Sequence, residues 1–341
     1  MKPPPPQTPP FDVQLQRRYR WKRMLTARER EPWDFRRREL DLGSKFFTGL
    51  TCTATLLILA ILAVILGNIL WHGAPGLSWR FITSGVERDM FDLEKAGVLP
   101  MIVGTTSRVI LMTVFVLPVG VITAIYLSEY ARPASLVTRV IRGAVSNLAG
   151  VPSIVFGLFG LGFFIGFVGA GLDRLTGAGA EPYWGKPALL WASTTLAVMT
   201  LPVVIVATEE SLRAIAPGLR EASLALGATK LQTVFKIVLP QALPGILTGG
   251  ILAVSRAAGE VAPILFTGAA YYMSGLPKSL ADQFMDLGYH VFILSTQSPN
   301  VDKTRPILYA TVVVLLLLSF ALNVVAIPIR ARIRRQMRRH S

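Results

Sequence analysis

Two charged residues stand inside an otherwise apolar stretch: Arg256 and Glu260, four residues apart, between Pro244 and Gly268. On a helix that spacing puts both side chains on one face, one turn apart. An arginine near mid-bilayer costs roughly 2.5 to 3.5 kcal/mol on insertion scales, so neither charge should face lipid. Both must face a protein interior or a water-filled path. Two readings stay open. In one, the residues neutralise each other and fix helix packing. In the other, Arg256 offers a planar set of donors suited to a tetrahedral oxyanion, and Glu260 holds it while moderating its attraction. A permeant ion must be bound well enough to enter and weakly enough to leave. Both readings hold together if the pair opens as substrate passes. Gly259 and Pro263 let the helix depart from regular geometry at this point.

A second region, Glu221 to Pro240, lies between two apolar spans, where a plain connection needs only a few residues. Its two halves are locally well specified. Pro217 suits a helix start, Gly227 suits a helix stop, and Thr229 with Gln232 makes a capping box for a second helix. Leu231, Val234, Phe235 and Val238 recur at helical spacing and predict one apolar stripe. A compact, charged, helix-turn-helix-like segment in this position is expected to dock something.

Other chemistry is excluded by what surrounds these two regions. The single cysteine, Cys52, lies in an apolar run and permits no intrachain disulfide or cysteine metal site. His72, His290 and His340 have no ligand-like spacing. The run from Gly160 to Gly166 superficially resembles a dinucleotide fingerprint, but its last spacing is wrong and it lies within an apolar span. Gly185-Lys186 is followed by Pro187, so no Walker A loop is present. The expectation is therefore a chain with no catalytic residues, no metal and no bound cofactor of its own.

These residues must be positioned by membrane helices. Of 341 residues 52% are hydrophobic and only 16% charged, too apolar for an ordinary soluble domain. Apolar runs of about 20 residues recur, the length that crosses a bilayer core. The reading is an all-α polytopic membrane protein with six transmembrane helices. They fall at about 46–70, 109–127 with a more polar lead-in from Gly104, 144–168, 188–207, 244–268 and 307–327. Arg108 then sits at the outer end of the second span, where it can extend to the interface in a structural role, or attract anions to the entrance.

The net charge of +15 is concentrated at the ends. Residues 1–45 hold twelve basic and six acidic side chains, and residues 329–341 hold six basic and none acidic. This places a basic, proline-rich and partly disordered tail at 1–45, a membrane domain at 46–328 with its docking loop at 208–243, and a second basic tail at 329–341. Charge beside membrane spans fits the positive-inside rule and anionic lipid better than nucleic acid. An even number of spans puts both tails on one side, expected to be cytoplasmic. The connections 71–96, 169–187 and 269–305, with net charges of −1, 0 and 0, are expected outside, and 128–143 and 208–243, with +2 and +1, inside. A long basic region precedes the first apolar run and no small-residue cleavage site follows it, so no signal peptide is evident. Gly162 with Gly166, and Gly245 with Gly249, have the spacing that lets membrane helices approach closely.

The loop at 221–240 also resembles the cytoplasmic loop of ATP-binding-cassette importer permeases, whose pattern is Glu-Ala-Ala, three residues, Gly, nine residues, Ile-x-Leu-Pro. Glu221, Ala222, Gly227, Ile237, Leu239 and Pro240 fit at every spacing, and Ser223 replaces an alanine. The resemblance implies a type I importer permease fold and coupling of these seven positions to a separate ATPase subunit that holds the ATP. Ser255 to Pro263, together with Ala124 to Tyr130 and Val151 to Gly157, is similar to the phosphate-transport permeases, of the PstA type rather than the PstC type. That resemblance covers most of residues 97–328. It implies inorganic phosphate import across a bacterial inner membrane by a complex with a PstC-like permease, an ATPase dimer and a periplasmic phosphate-binding protein, with Arg256 and Glu260 on the substrate path. An importer for another oxyanion or small solute is the neighbouring alternative. A channel or secondary transporter acting without ATP has no need of the 221–240 loop.

Overall fold

A computed structural model describes residues 42–86, 91, 96–177 and 181–338. The proline-rich tail expected over 1–45 lies outside these as far as residue 41, as do the last three residues of the basic tail expected at 329–341. The chain divides into two units, 1–64 and 65–341. In the first, the described residues belong to helix α1 (Leu42–Gly73), which continues into the second.

In the second unit follow α2 (Leu99–Ile125), α3 (Leu136–Ala149), α4 (Ser153–Phe159), α5 (Leu189–Arg213), α6 (Pro217–Ala225), α7 (Lys230–Thr233), α8 (Leu239–Gly259), α9 (Leu287–Thr296) and α10 (Val301–Arg338). α2 runs on through a wide π turn, Tyr126–Tyr130, and α4 through another, Gly160–Gly169, into the helical turns Ala170–Thr176. Among the described residues six helices are long and apolar enough to cross a membrane. That bears out the all-α reading. Several helices run longer than expected, notably Leu99–Tyr130, Lys230–Gly259 and Val301–Arg338.

α5 is the central helix, with 67% of its apolar window buried. It packs against α2 and α8, and α8 packs in turn against α10. Val109, Met112, Leu196, Val204, Ala253 and Ala257 meet in the largest apolar cluster. In lipid, close packing rather than exclusion of water holds such helices together, so small residues mark the contacts. A Cβ on Gly249 would come within 2.6 Å of the Ala207 Cβ, which shows why α8 and α5 approach where Gly245 and Gly249 lie. The other glycine pair differs from expectation: Gly162 has nothing within 4 Å of its Cβ position, so it packs no neighbour within this chain.

One part of the expected topology is corrected. The third span does not begin at residue 144. α3 ends at Ala149, capped by Gly150, and Pro152, which disfavours helical geometry in the residue before it, stands just before α4. A second feature is one the hydropathy pattern does not show, in the connection 269–305, expected on the outer side of the membrane. It folds back into the protein: Phe284 and Met285 are buried, and Ala269 bridges to Phe284. The physical reason is the start of α5, whose first N–H groups have no helical partners. The N–H of Ala188 donates to the Thr267 carbonyl, that of Leu189 to Asp282 and that of Leu190 to Leu280. Asp282 closes the turn by accepting the Lys278 and Ser279 N–H groups, each at 2.9 Å, and these bonds hold its carboxyl below the usual range.

Candidate functional site

The docking segment is a helical hairpin. Pro217 stands in the first turn of α6, and α6 ends on Gly227 with φ +84°, a conformation that suits a residue without a Cβ. The Gly227 N–H donates to Leu224 and the Ala228 N–H to Ser223, the Schellman arrangement. α7 opens with the expected reciprocal capping box between Thr229 and Gln232. The Ser223 and Thr233 hydroxyls, 2.9 Å apart, tie the two halves together, a bond that alanine at 223 would not make. Glu221 and Ala222 are exposed. Ala222, Ser223, Leu226, Gln232 and Ile237 help to line an open groove of about 440 Å³. Leu226 at its edge is 90% exposed.

The predicted apolar stripe is split. Val234 and Val238 are buried against Leu212, Ile215 and Ile246, whereas Leu231 and Phe235 are exposed. The cause is local. Pro240 has no N–H to offer, and the helix widens to π geometry over Val234–Val238, which breaks the regular register. Beyond it Leu239 and Pro240 open α8. Lys230–Gly259 therefore runs from the hairpin through the membrane as one helical element.

Two ion-pair sets bind the hairpin end to the bundle. Arg220 Nη2 lies 2.8 Å from Glu129 Oε1 and 2.7 Å from the Leu212 carbonyl, and its Nη1 reaches the Ile215 carbonyl at 2.8 Å. One side chain thus satisfies carbonyls at the end of α5 and the carboxylate of the α2 π turn. Beside it Glu209 of α5 pairs with Arg142 of α3 at 3.0 Å and with Arg213 at 3.2 Å.

At the other end of the element, Arg256 lies in the last turn of α8. Glu260 is the first residue past the helix, in extended geometry. The two stand on a breaking helix rather than a regular face, yet Arg256 Nε lies 3.5 Å from Glu260 Oε1. The Arg256 side chain is 49% exposed within the chain. It makes no side-chain hydrogen bond in the described structure, so its donors can turn to an anion. Its neighbour Ser255 donates to Asn323 of α10 at 2.7 Å.

Arg108 overturns its expected place. It does not reach an interface but is fully buried, because α2 begins at Leu99 and the polar lead-in is part of the span. Its Nε and Nη2 donate to Asp286 Oδ2 at 3.0 and 2.8 Å, and its Nη1 donates to the Ala257 carbonyl at 2.8 Å. Thr105 donates to the same carboxylate oxygen at 2.9 Å. The other oxygen caps α9 by accepting the Gly288 and Tyr289 N–H groups. Sequence reasoning missed Asp286, although an aspartate just before the apolar run at Leu287 is a helix-start signal. Pairing across 178 residues has no such local sign.

Six apolar spans, a capped hairpin between the fourth and fifth, and a charged pair ending the fifth define the membrane component of a transporter. The chain belongs to the family described as the binding-protein-dependent transport system inner membrane component, which matches residues 116–339. It is thus the permease component of an ABC importer and a multi-pass inner-membrane protein. Among its relatives, a probable ABC transporter permease protein, YqgI of Bacillus subtilis, is 34% identical over 66% of this chain and 70% of its own. The phosphate transport system permease protein PstA of Pasteurella multocida is 33% identical over 66% of this chain and 74% of its own. PstA 1 of Mycobacterium tuberculosis is 36% identical over 55% of each. The fold is also that of a bacterial alginate ABC transporter, crystallised with an alginate pentasaccharide-bound periplasmic protein. There the TM-score is 0.58 at 14% identity, over 83% of this chain and 94% of that one.

Proposed function

We propose that this chain forms part of the path by which inorganic phosphate crosses the membrane, driven by ATP hydrolysed on a separate subunit docked at the 217–240 hairpin. The observation that carries the reading is the single helical element Lys230–Gly259, which begins in the hairpin and ends at Arg256. A displacement of the hairpin moves the pair at its far end, because a helix transmits it along its length. Glu221, Ala222, Ser223, Gly227, Ile237, Leu239 and Pro240 serve the coupling interface, and Arg256 and Glu260 serve the path. The chain itself binds no cofactor and does no catalysis; the ATP belongs to its partner.

Phosphate is favoured by the relatives named as phosphate permeases and by the exposed guanidinium, whose planar donors match a tetrahedral oxyanion. The partners of this reading are a PstC-like second permease, an ATPase dimer and a periplasmic phosphate-binding protein. Both termini then lie in the cytoplasm, on the side where the hairpin meets ATPase, consistent with the basic tails. The test is reconstitution of the purified complex in vesicles, with uptake of phosphate, sulfate and molybdate and ATP hydrolysis measured together. Uptake of phosphate, dependent on ATP and on the binding protein, is the expected result; preference for another oxyanion overturns the substrate, and transport without an ATPase overturns the coupling.

A further inference from the structure

We propose that Arg108 and Asp286 are positioning residues for Arg256, setting the helix break that aims it. The inference rests on the pathway reading of Arg256 given above, and its own argument is geometric.

α8 stops at Gly259, and Glu260 is extended. In an uninterrupted helix the Ala257 and Ala258 carbonyls would accept from the N–H groups of residues 261 and 262. Here the Ala257 carbonyl receives only the distant N–H of Glu260, at 3.3 Å, from its own segment. Ala257 and Ala258 are fully buried, and a buried carbonyl left bare costs free energy. Arg108 supplies what the break removes: its Nη1 reaches Ala257 at 2.8 Å and its Nη2 reaches Ala258 at 3.4 Å. These two residues are the chain between Arg256 and Gly259, so the guanidinium fixes the backbone on which Arg256 is mounted.

Asp286 makes that placement possible. It takes the Arg108 charge, and three further donors hold it still: Thr105 at 2.9 Å, the Gly288 N–H at 2.9 Å and the Tyr289 N–H at 3.2 Å. Thr105 is held in turn by the Leu287 N–H at 3.0 Å. The break in α8 is thereby referred to α2 and to the cap of α9. Neither charged side chain is exposed at all, so neither touches substrate. The fold sorts its two membrane-depth arginines into different tasks: Arg108 has its donors committed, and Arg256 has them available.

Cys52 is the sole cysteine, so Arg256→Cys in a Cys52→Ser background carries one reporter thiol. Its rate of modification by a charged methanethiosulfonate is measured in the assembled complex, with and without Arg108→Lys. A lysine keeps the charge opposite Asp286 but cannot reach both carbonyls and the carboxylate together. The modification rate is expected to change severalfold, and phosphate uptake by Arg108→Lys with Arg256 present is expected to fall about tenfold at unchanged assembly, as for a misplaced reacting group. Where Arg108→Lys does not assemble, Thr105→Val decides, because it removes one donor to Asp286 and leaves the arginine; a smaller shift in the same direction is expected. An unchanged thiol rate in the variant that assembles overturns the positioning role. A shifted rate, where the complex with Arg108 and Arg256 both intact transports no phosphate, upholds the positioning role and overturns the substrate reading instead.

Discussion

Arg220, the fourth residue of α6, donates its Nε and Nη2 to Glu129 Oε1 at 3.2 and 2.8 Å, joining the hairpin to the π turn that ends α2, 91 residues earlier. The same guanidinium caps the end of α5. A hairpin held in this way cannot swing on its linkers alone; it must carry α2 and α5 with it. Glu129→Gln keeps an acceptor and removes the charge, and it is expected to cost about 1 to 2 kcal/mol at this partly buried site. The measurement is ATP hydrolysed per phosphate moved, which should rise. Exchanging the charges, Arg220→Glu with Glu129→Arg, should recover part of the coupling, and an unaltered ratio in every variant would show that the tie carries no movement.

Asp286→Ala leaves Arg108 charged and unpaired in the interior and is expected to destabilise the chain by about 3 to 5 kcal/mol. Removing both charges with Arg108→Met and Asp286→Leu should cost less than either single loss, since no uncompensated charge remains. Thermal unfolding in detergent, one variant at a time, measures this. A double variant less stable than both singles contradicts it.

Gly227→Ala forces a side chain into the left-handed region and is expected to weaken the α6 cap by about 1 to 2 kcal/mol. Gly227→Asn should lose less, because asparagine tolerates that conformation. Co-purification of the ATPase subunit with each variant gives the order, glycine above asparagine above alanine. Equal recovery of all three would separate the turn from docking.

Leu226 is a large apolar side chain that the chain leaves open at the hairpin groove. Leu226→Asp should leave the isolated chain within about 0.5 kcal/mol of its original stability, as surface changes do. It should sharply reduce ATPase association in a pull-down. Retained association with an aspartate at 226 would place the docking contact elsewhere on the hairpin.

Arg256→Ala is expected to abolish phosphate uptake while the complex still assembles. Arg256→Lys should restore little of it, since an ammonium lacks the planar fork of donors. Uptake by vesicles at matched protein content checks both. Normal uptake by the alanine variant would leave the pair with a packing role only.

The hairpin was legible in the sequence nearly residue by residue. Pro217, Gly227, Thr229 and Gln232 act through bonds to neighbours within a few positions, and a local rule reads a local interaction. The stripe Leu231, Val234, Phe235, Val238 is less legible. Its spacing presumes regular helix, and the π turn before Pro240 sends only Val234 and Val238 inward. Arg108 reads as an interfacial side chain because the polar residues Thr105, Thr106 and Ser107 just before it resemble the end of a span.

The sequence by itself determined that the chain crosses a membrane about six times, that a capped hairpin interrupts the apolar pattern, and that Arg256 and Glu260 lie near each other. Length, hydropathy and short spacing are local properties, and local forces realise them. Only the tertiary structure decided that residues 269–286 return into the bundle, that Arg108 is committed while Arg256 is exposed, and that Glu129 meets Arg220. Those outcomes depend on which distant groups supply the partners that a helix end or a buried charge lacks, and a buried polar group takes whatever partner the packing brings within reach.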